Sequence, residues 1–224
     1  MDWSYGVTTV PERIDNLLQR TLTSLANGGF KNPLIFIDGL QSPHPSLVNY
    51  QCTLRYPNIR TFGNWFLGAW ELYIRNPKAE RYAIFQDDLV TYANLRDYLE
   101  SCKYPQRGYL NLYTFPENTR TDRARWYESN QRGKGAVALV FDRETFQTLL
   151  SLRYLVDRVT DPNRGHKSID GGFVTGLKRV GWKEYVHNPS LVQHTGMSST
   201  MGNAQHPLAP SFRGEDFDAR KLIC

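Results

Sequence analysis

Apolar and polar positions along this chain change period repeatedly, and each change predicts an element. Tyr5–Val10 is a short apolar run that predicts a first strand. It passes directly into Pro11–Leu25, where Ile14, Leu17, Leu18, Leu22 and Leu25 recur on one helical face until Asn27, Gly28 and Gly29 stop it. Thr9 and Glu12 have the spacing of a capping box, with Pro11 in the first turn, where its missing N–H costs nothing. A strand feeding a helix this directly turns free N–H groups and a positive dipole end toward the sheet edge, which is a seat for an anion. Pro33–Asp38 is a continuous apolar run of buried parallel-strand type. A short strand follows at Asn58–Gly63, then a helix over Asn64–Arg75 with Asn64 as its N-cap and Trp65 and Trp70 on the core side.

The second half continues the alternation. Arg81–Val90 is a strand, Asn94–Cys102 a helix, Gly108–Thr114 a strand, Gly135–Phe141 a fully apolar strand and Arg143–Leu152 a helix. A further helix runs to Val180 with Ser168 as N-cap and Asp170 in its first turn, and Lys183–His187 is a last short strand. Phe115–Lys134 breaks the pattern. It carries Arg120, Arg123, Arg125, Arg132 and Lys134 around Trp126 and Tyr127, and it fits either a binding loop or lid, or a disordered or merely solvated segment. The alternation predicts a single α/β domain over residues 1–224, with a mostly parallel central sheet flanked by helices and an irregular tail over 200–224.

Composition narrows the setting. With 224 residues, 40% hydrophobic and 22% charged, the chain can bury one substantial core and holds no disordered block. No apolar run reaches the length of a membrane span, and the first residues lack the basic region and apolar stretch of a signal peptide, so a cytoplasmic location is expected. Cys52, Cys102 and Cys224 are odd in number and without metal-ligand spacing, which predicts reduced thiols. The net charge of +5 favours an anionic partner: a nucleotide, a nucleic acid or an acidic membrane surface.

The chemistry concentrates at strand ends. Arg81–Val90 carries Gln86, Asp87 and Asp88 where, in open α/β sheets, ligands bind. Two adjacent carboxylates near a core repel each other and call for a compensating cation; a hard divalent ion shared with a ligand's phosphates would serve, and the bland alternative is an acidic turn facing water. Asp38 closes the second apolar strand and fits equally a group that reads a ribose or base edge and a plain Asp-Gly turn. For Asp170 the bland role is complementing the helix dipole, and for His194 that of a structural histidine. A second set of metal-bridging acids, or a glycine-rich phosphate loop with lysine, is not present in the sequence, which counts against a nucleotidyltransferase.

Taken in order, Gly6–Arg13, Phe36–Asp38, Phe85–Asp88, Gly133–Phe141 and Leu191–Ser199 resemble the motifs of GT-A fold nucleotide-sugar glycosyltransferases, most nearly the N-acetylglucosaminyltransferase IV-type enzymes. The resemblance implies that Thr8, Arg13 and Asp38 bind the nucleoside, usually uridine, with Asp87, Gln86, Ser198 and Ser199 also on the donor. It implies that Asp88 and His194 hold Mn2+ or Mg2+, and that Asp170 is the base of an inverting transfer from a UDP-sugar to a hydroxyl acceptor. Gln86 stands where the usual Asp-x-Asp motif has its first acid, which implies weaker metal binding. The acceptor implied is a glycan or glycoconjugate; the basic charge and the 117–134 segment also suit DNA carrying hydroxymethylated bases. A non-catalytic nucleotide-sugar-binding module is the remaining alternative.

Overall fold

Strand β1 (Trp3–Thr9) lies between β2 (Leu34–Asp38) and β4 (Arg81–Gln86), parallel to both, with Thr8 opposite Phe36 on one side and Gln86 on the other. The computed structural model describes residues 1–120, 122, 125–160, 169–195 and 207–224, so Ser168, Ser198 and Ser199 lie outside the described residues. The full sheet also takes in β3 (Cys52–Arg55), β6 (Gly108–Asn111), β7 (Arg125–Glu128), β8 (Ala138–Asp142) and β9 (Lys183–Asn188), in the order β3-β2-β1-β4-β8-β6-β9-β7. The first four strands are parallel, whereas β8 runs antiparallel to both β4 and β6, and β7 antiparallel to β9. The sheet is therefore mixed, parallel where the first half of the chain winds it and reversed where β8 returns.

Side chains of the central strands alternate between two cores, as the two-residue period of a strand requires. Ala83 and Phe85 of β4, with Ala138 and Val140 of β8, face Ile14, Leu18, Leu22 and Leu25 of the first helical segment. Tyr82 and Ile84, with Leu139 and Phe141, face the opposite layer. That layer is built by α2 (Arg60–Arg75), α4 (Arg143–Ser151), α5 (Arg153–Thr160) and α6 (Ile169–Arg179). Trp65 is fully buried there against Phe173, ring centroids 4.2 Å apart, and Trp70 packs partly buried against the same core. Burying an aromatic of this size contributes on the order of 2–3 kcal/mol, so these tryptophans hold layers together.

Several expectations are corrected. The first helix opens as a 3-10 turn (Pro11–Arg13) and a π turn (Ile14–Leu18) before α1 proper (Gln19–Asn27), and its N-cap is Val10, without a side-chain cap. The Thr9 hydroxyl donates to Asp87 instead of closing a capping box. No strand forms at Asn58–Gly63; α2 already begins at Arg60 behind Ile59, so Asn64 lies inside the helix, while β3 forms earlier. The supposed loop 115–134 contains a 3-10 turn (Pro116–Asn118) and the edge strand β7. Cys102 and Cys224 are joined in a disulfide, Cα–Cα 5.2 Å, and Cys52 alone is free, so the expectation of reduced thiols fails for two of the three. The bond ties the end of the chain to α3 (Leu95–Ser101). The described residues of the tail, 207–224, include a 3-10 turn (Ala219–Lys221) and are docked: Phe212 stacks on Tyr92 at 4.8 Å, and Glu215 pairs with Arg20 at 2.6 Å. Among the described residues no helix is long and apolar enough to cross a membrane.

His187 of β9 is buried in its neutral form. Its Nδ1–H donates to the Pro189 carbonyl at 2.6 Å and its Nε2 accepts from the Tyr98 hydroxyl at 2.7 Å. Burial pushes its pKa down from 6.5 to about 4. The unfolded chain takes up a proton as pH falls through 6.5 while the folded chain does so only near 4. Stability is therefore full above 6.5, and on the order of 3 kcal/mol is lost across that window. Urea unfolding between pH 7 and pH 4 should show the decline, and His187→Gln should flatten it.

Candidate functional site

The C-terminal ends of β1 and β4 bring two chain segments together. Asp87 Oδ2 accepts from the Thr9 hydroxyl at 2.6 Å, and Asp87 Oδ1 accepts from Arg13 Nη1 at 2.7 Å. The same Arg13 nitrogen reaches Asp88 Oδ2 at 2.9 Å, so one guanidinium bridges both acids. All three side chains are largely buried, with exposures of 14%, 4% and 3% for Arg13, Asp87 and Asp88. The Thr21 hydroxyl fixes the backbone beneath them, donating toward the carbonyls of Asp87 and Leu89 at 2.8 and 2.9 Å.

A second, two-stranded sheet delivers the histidine. β5 (Leu89–Thr91) follows the acid pair at once and pairs antiparallel with β10 (Val192–His194), His194 opposite Leu89. Thr195 N donates to the Asp88 carbonyl at 2.7 Å, which locks the register. His194 Nε2 thereby sits 3.2 Å from Asp88 Oδ2. Burial and the Asp88 charge raise the pKa of Asp87. Burial would raise Asp88 too, but the hydrogen bond and charge of His194, with Arg13, hold it below the ordinary carboxylate range. The pair thus splits into a more readily protonated acid and a firmly ionised one.

These residues fit a divalent ion on one observation: Asp88 Oδ1 is buried without a hydrogen-bond partner, beside an imidazole. A carboxylate oxygen and an imidazole nitrogen suit Mn2+ or Mg2+ when a ligand's phosphates supply further oxygens. Among the described residues no group of three or more His, Cys, Asp or Glu stands ready to hold a metal by itself.

Asp170 enters from the other layer. It lies in the first turn of α6, and its Oδ2 accepts from Gly135 N at 2.6 Å. The turn is specific to glycine: Gly133 and Gly135 have φ of +65° and +79°, and a Cβ on Gly133 would stand 2.6 Å from the Asp170 carbonyl oxygen. Val137 N then donates to Gly135 O, and Val137 O accepts from Gln86 N at 2.8 Å, which places Asp170 at the same sheet edge as the acid pair. Burial raises its pKa, against the N–H groups of Gly135, Ala136, Gly171 and its own backbone, which favour the ionised form.

The remaining predicted positions line the adjoining edge. The Thr8 hydroxyl points at the Phe85 carbonyl at 3.4 Å. Asp38 is buried, and its Oδ1 accepts from Ile59 N at 2.8 Å, tying the end of β2 to the start of α2. Gln86 is half-buried. Sequence reasoning did not find Thr9, which holds Asp87 from the end of β1, or the β5–β10 ribbon; Leu89-Val90-Thr91 and Val192-Gln193-His194 are each too short to carry a periodic signal.

The mixed sheet, with helices packed on its two faces, resembles the GT-A fold. A solved structure with this fold is GalNAc-T7, crystallised with UDP, GalNAc and Mn2+; the TM-score is 0.60 at 12% sequence identity, over 88% of this chain and 44% of that one. The chain thus spans less than half the length of that protein. No protein-family model matches the sequence, and no curated protein does.

Proposed function

We propose that the protein is an inverting glycosyltransferase that moves a sugar from a UDP-sugar to a hydroxyl acceptor. The observation that carries this reading is the unpartnered Asp88 Oδ1 beside His194 at the end of the parallel strands. The shared fold with GalNAc-T7, whose crystals contain UDP, GalNAc and Mn2+, supports a nucleotide-sugar donor and a divalent metal. In this reading Asp88 and His194 would hold Mn2+ or Mg2+, which would supply positive charge to the nucleoside diphosphate leaving group. Thr8, Asp38, Gln86 and Asp87 bind the donor, together with Ser198 and Ser199 outside the described residues. Arg13 keeps the acid pair in place and, with Thr8 and Asp38, binds the nucleoside of the donor. Asp170 takes the proton of the acceptor hydroxyl as that oxygen attacks the anomeric carbon from the face opposite the leaving group, which inverts the centre. A glycan or glycoconjugate is the acceptor. The transferred sugar is a hexose or N-acetylhexosamine, in line with the sequence resemblance to N-acetylglucosaminyltransferase IV-type enzymes.

The test is a panel of nucleotide sugars incubated with the protein and Mn2+, reading release of nucleoside diphosphate. UDP-hexoses and UDP-N-acetylhexosamines are expected to be consumed, and Asp88→Ala to slow release at least about 100-fold. A protein that turns over none of them, or an Asp88→Ala variant as fast as wild type, overturns the proposal. Hydroxymethylated DNA belongs in the acceptor panel, where phosphate-driven binding would fall steeply with salt.

A further inference from the structure

The carboxyl group of Glu184 takes no part in the chemistry above, yet it is a costly group to bury. It is 1% exposed on β9, whose register places it directly beside Tyr109 of β6. The Tyr109 hydroxyl and Asn111 Nδ2 both donate to Glu184 Oε1, each at 3.1 Å, while Oε2 has no partner of good geometry. Glutamine would accept the same two hydrogen bonds without a charge to desolvate, so ionising this carboxyl costs stability.

The hydrogen-bond path from Glu184 leads to Asp170. Asn111 Nδ2 also donates to the Lys134 carbonyl at 3.3 Å, inside the turn whose next residue, Gly135, donates its N–H to Asp170. The charges interact as well. Burial raises the pKa of Glu184, hydrogen bonds from Ser129, Asn111 and Tyr109 pull it down, and the Asp170 charge adds a smaller push upward. Tyr109, raised first by burial, is pushed up by both carboxylates. The cations of the turn face elsewhere, Lys134 Nζ lying 2.5 Å and Arg132 3.7 Å from Glu117. The helices packed against α6 present apolar groups to this core: Phe62 and Trp65 of α2, Leu149 of α4 and Leu155 of α5.

We propose that Glu184 is a positioning residue for Asp170: it anchors the turn whose N–H receives the Asp170 carboxylate, and its buried negative charge makes that carboxylate a stronger base. The inference rests on the reading of Asp170 as the base. It explains why a strand facing a hydrophobic core carries an acid where an amide would be less costly.

The experiment is a 13C carboxyl NMR titration of Asp170 in the full chain, wild type against Glu184→Gln. The Asp170 midpoint is expected to fall by about half a pH unit or more, a roughly threefold change in its ionisation constant. The acidic limb of the kcat profile should move the same way, with donor KM unchanged and thermal stability held or raised. Tyr109→Phe, which removes a donor to Glu184 and so weakens its ionised form, should shift Asp170 in the same direction by less; it carries the test if Glu184→Gln fails to fold. A midpoint that stays fixed or rises in a folded variant overturns the proposal. An Asp170→Asn enzyme that still transfers sugar would remove the base reading while leaving the titration to be judged separately; an inactive Asp170→Asn with a fixed titration removes only the role of Glu184.

Discussion

Asp170→Asn is expected to lower kcat by about 10²–10⁴-fold and to leave UDP affinity unchanged. Asparagine keeps an oxygen for the Gly135 N–H and nearly the same volume, so the turn and the start of α6 should persist. What it loses is the lone pair that accepts a proton. Because burial raises the Asp170 pKa, the wild-type rate should fall on the acidic side at a pH above the ordinary carboxylate range. The amide variant should show no such limb in its residual rate. Steady-state kinetics across pH, with UDP binding followed by calorimetry, check both halves. An Asp170→Asn enzyme with full kcat would rule out this carboxylate as the base.

Arg13→Met carries the largest expected loss of stability. Arg13 is the guanidinium that bridges Asp87 and Asp88, and methionine keeps the stem while leaving two adjacent buried carboxylates without it. Removing one partner of a buried ion pair typically costs about 3–5 kcal/mol. The deficit should shrink at lower pH, since burial and the Asp88 charge already favour protonating Asp87, and one added proton relieves the repulsion. Mn2+ should also narrow it by compensating Asp88. Urea unfolding at pH 7 and pH 5, with and without the metal, reads all three effects. Unchanged stability at pH 7 would mean that the acids are held by other means.

The parts of this fold legible in the sequence are those buried on both faces. β1, β2, β4 and β8 show as continuous apolar runs because helices cover them from either side. β3 and β7 sit at the two edges of the sheet, and their short, partly exposed sequences carry almost no burial signal. Two local rules lost to tertiary partners. Thr9 has the spacing of a cap but gives its hydroxyl to Asp87, and the start of α2 is set by Asp38, which accepts from Ile59 N across the intervening β3 segment. At the site, Asp87, Asp88 and His194 were legible from type and order, and the structure brings them together with Arg13. Glu184 was not, because one acid in a short strand looks like a solvent-facing position until its neighbours are known. The Cys102–Cys224 bond was equally hidden, since its partners are 122 positions apart.

Pairing β5 with β10 has a bearing on biosynthesis. A ribosome-bound chain that has emerged only as far as β9 already carries Asp87 and Asp88 but lacks the imidazole that completes the cluster. On the proposed reading, binding of metal and nucleotide waits on the pairing of β10 with β5, and tight UDP binding would report that β10 has found its place.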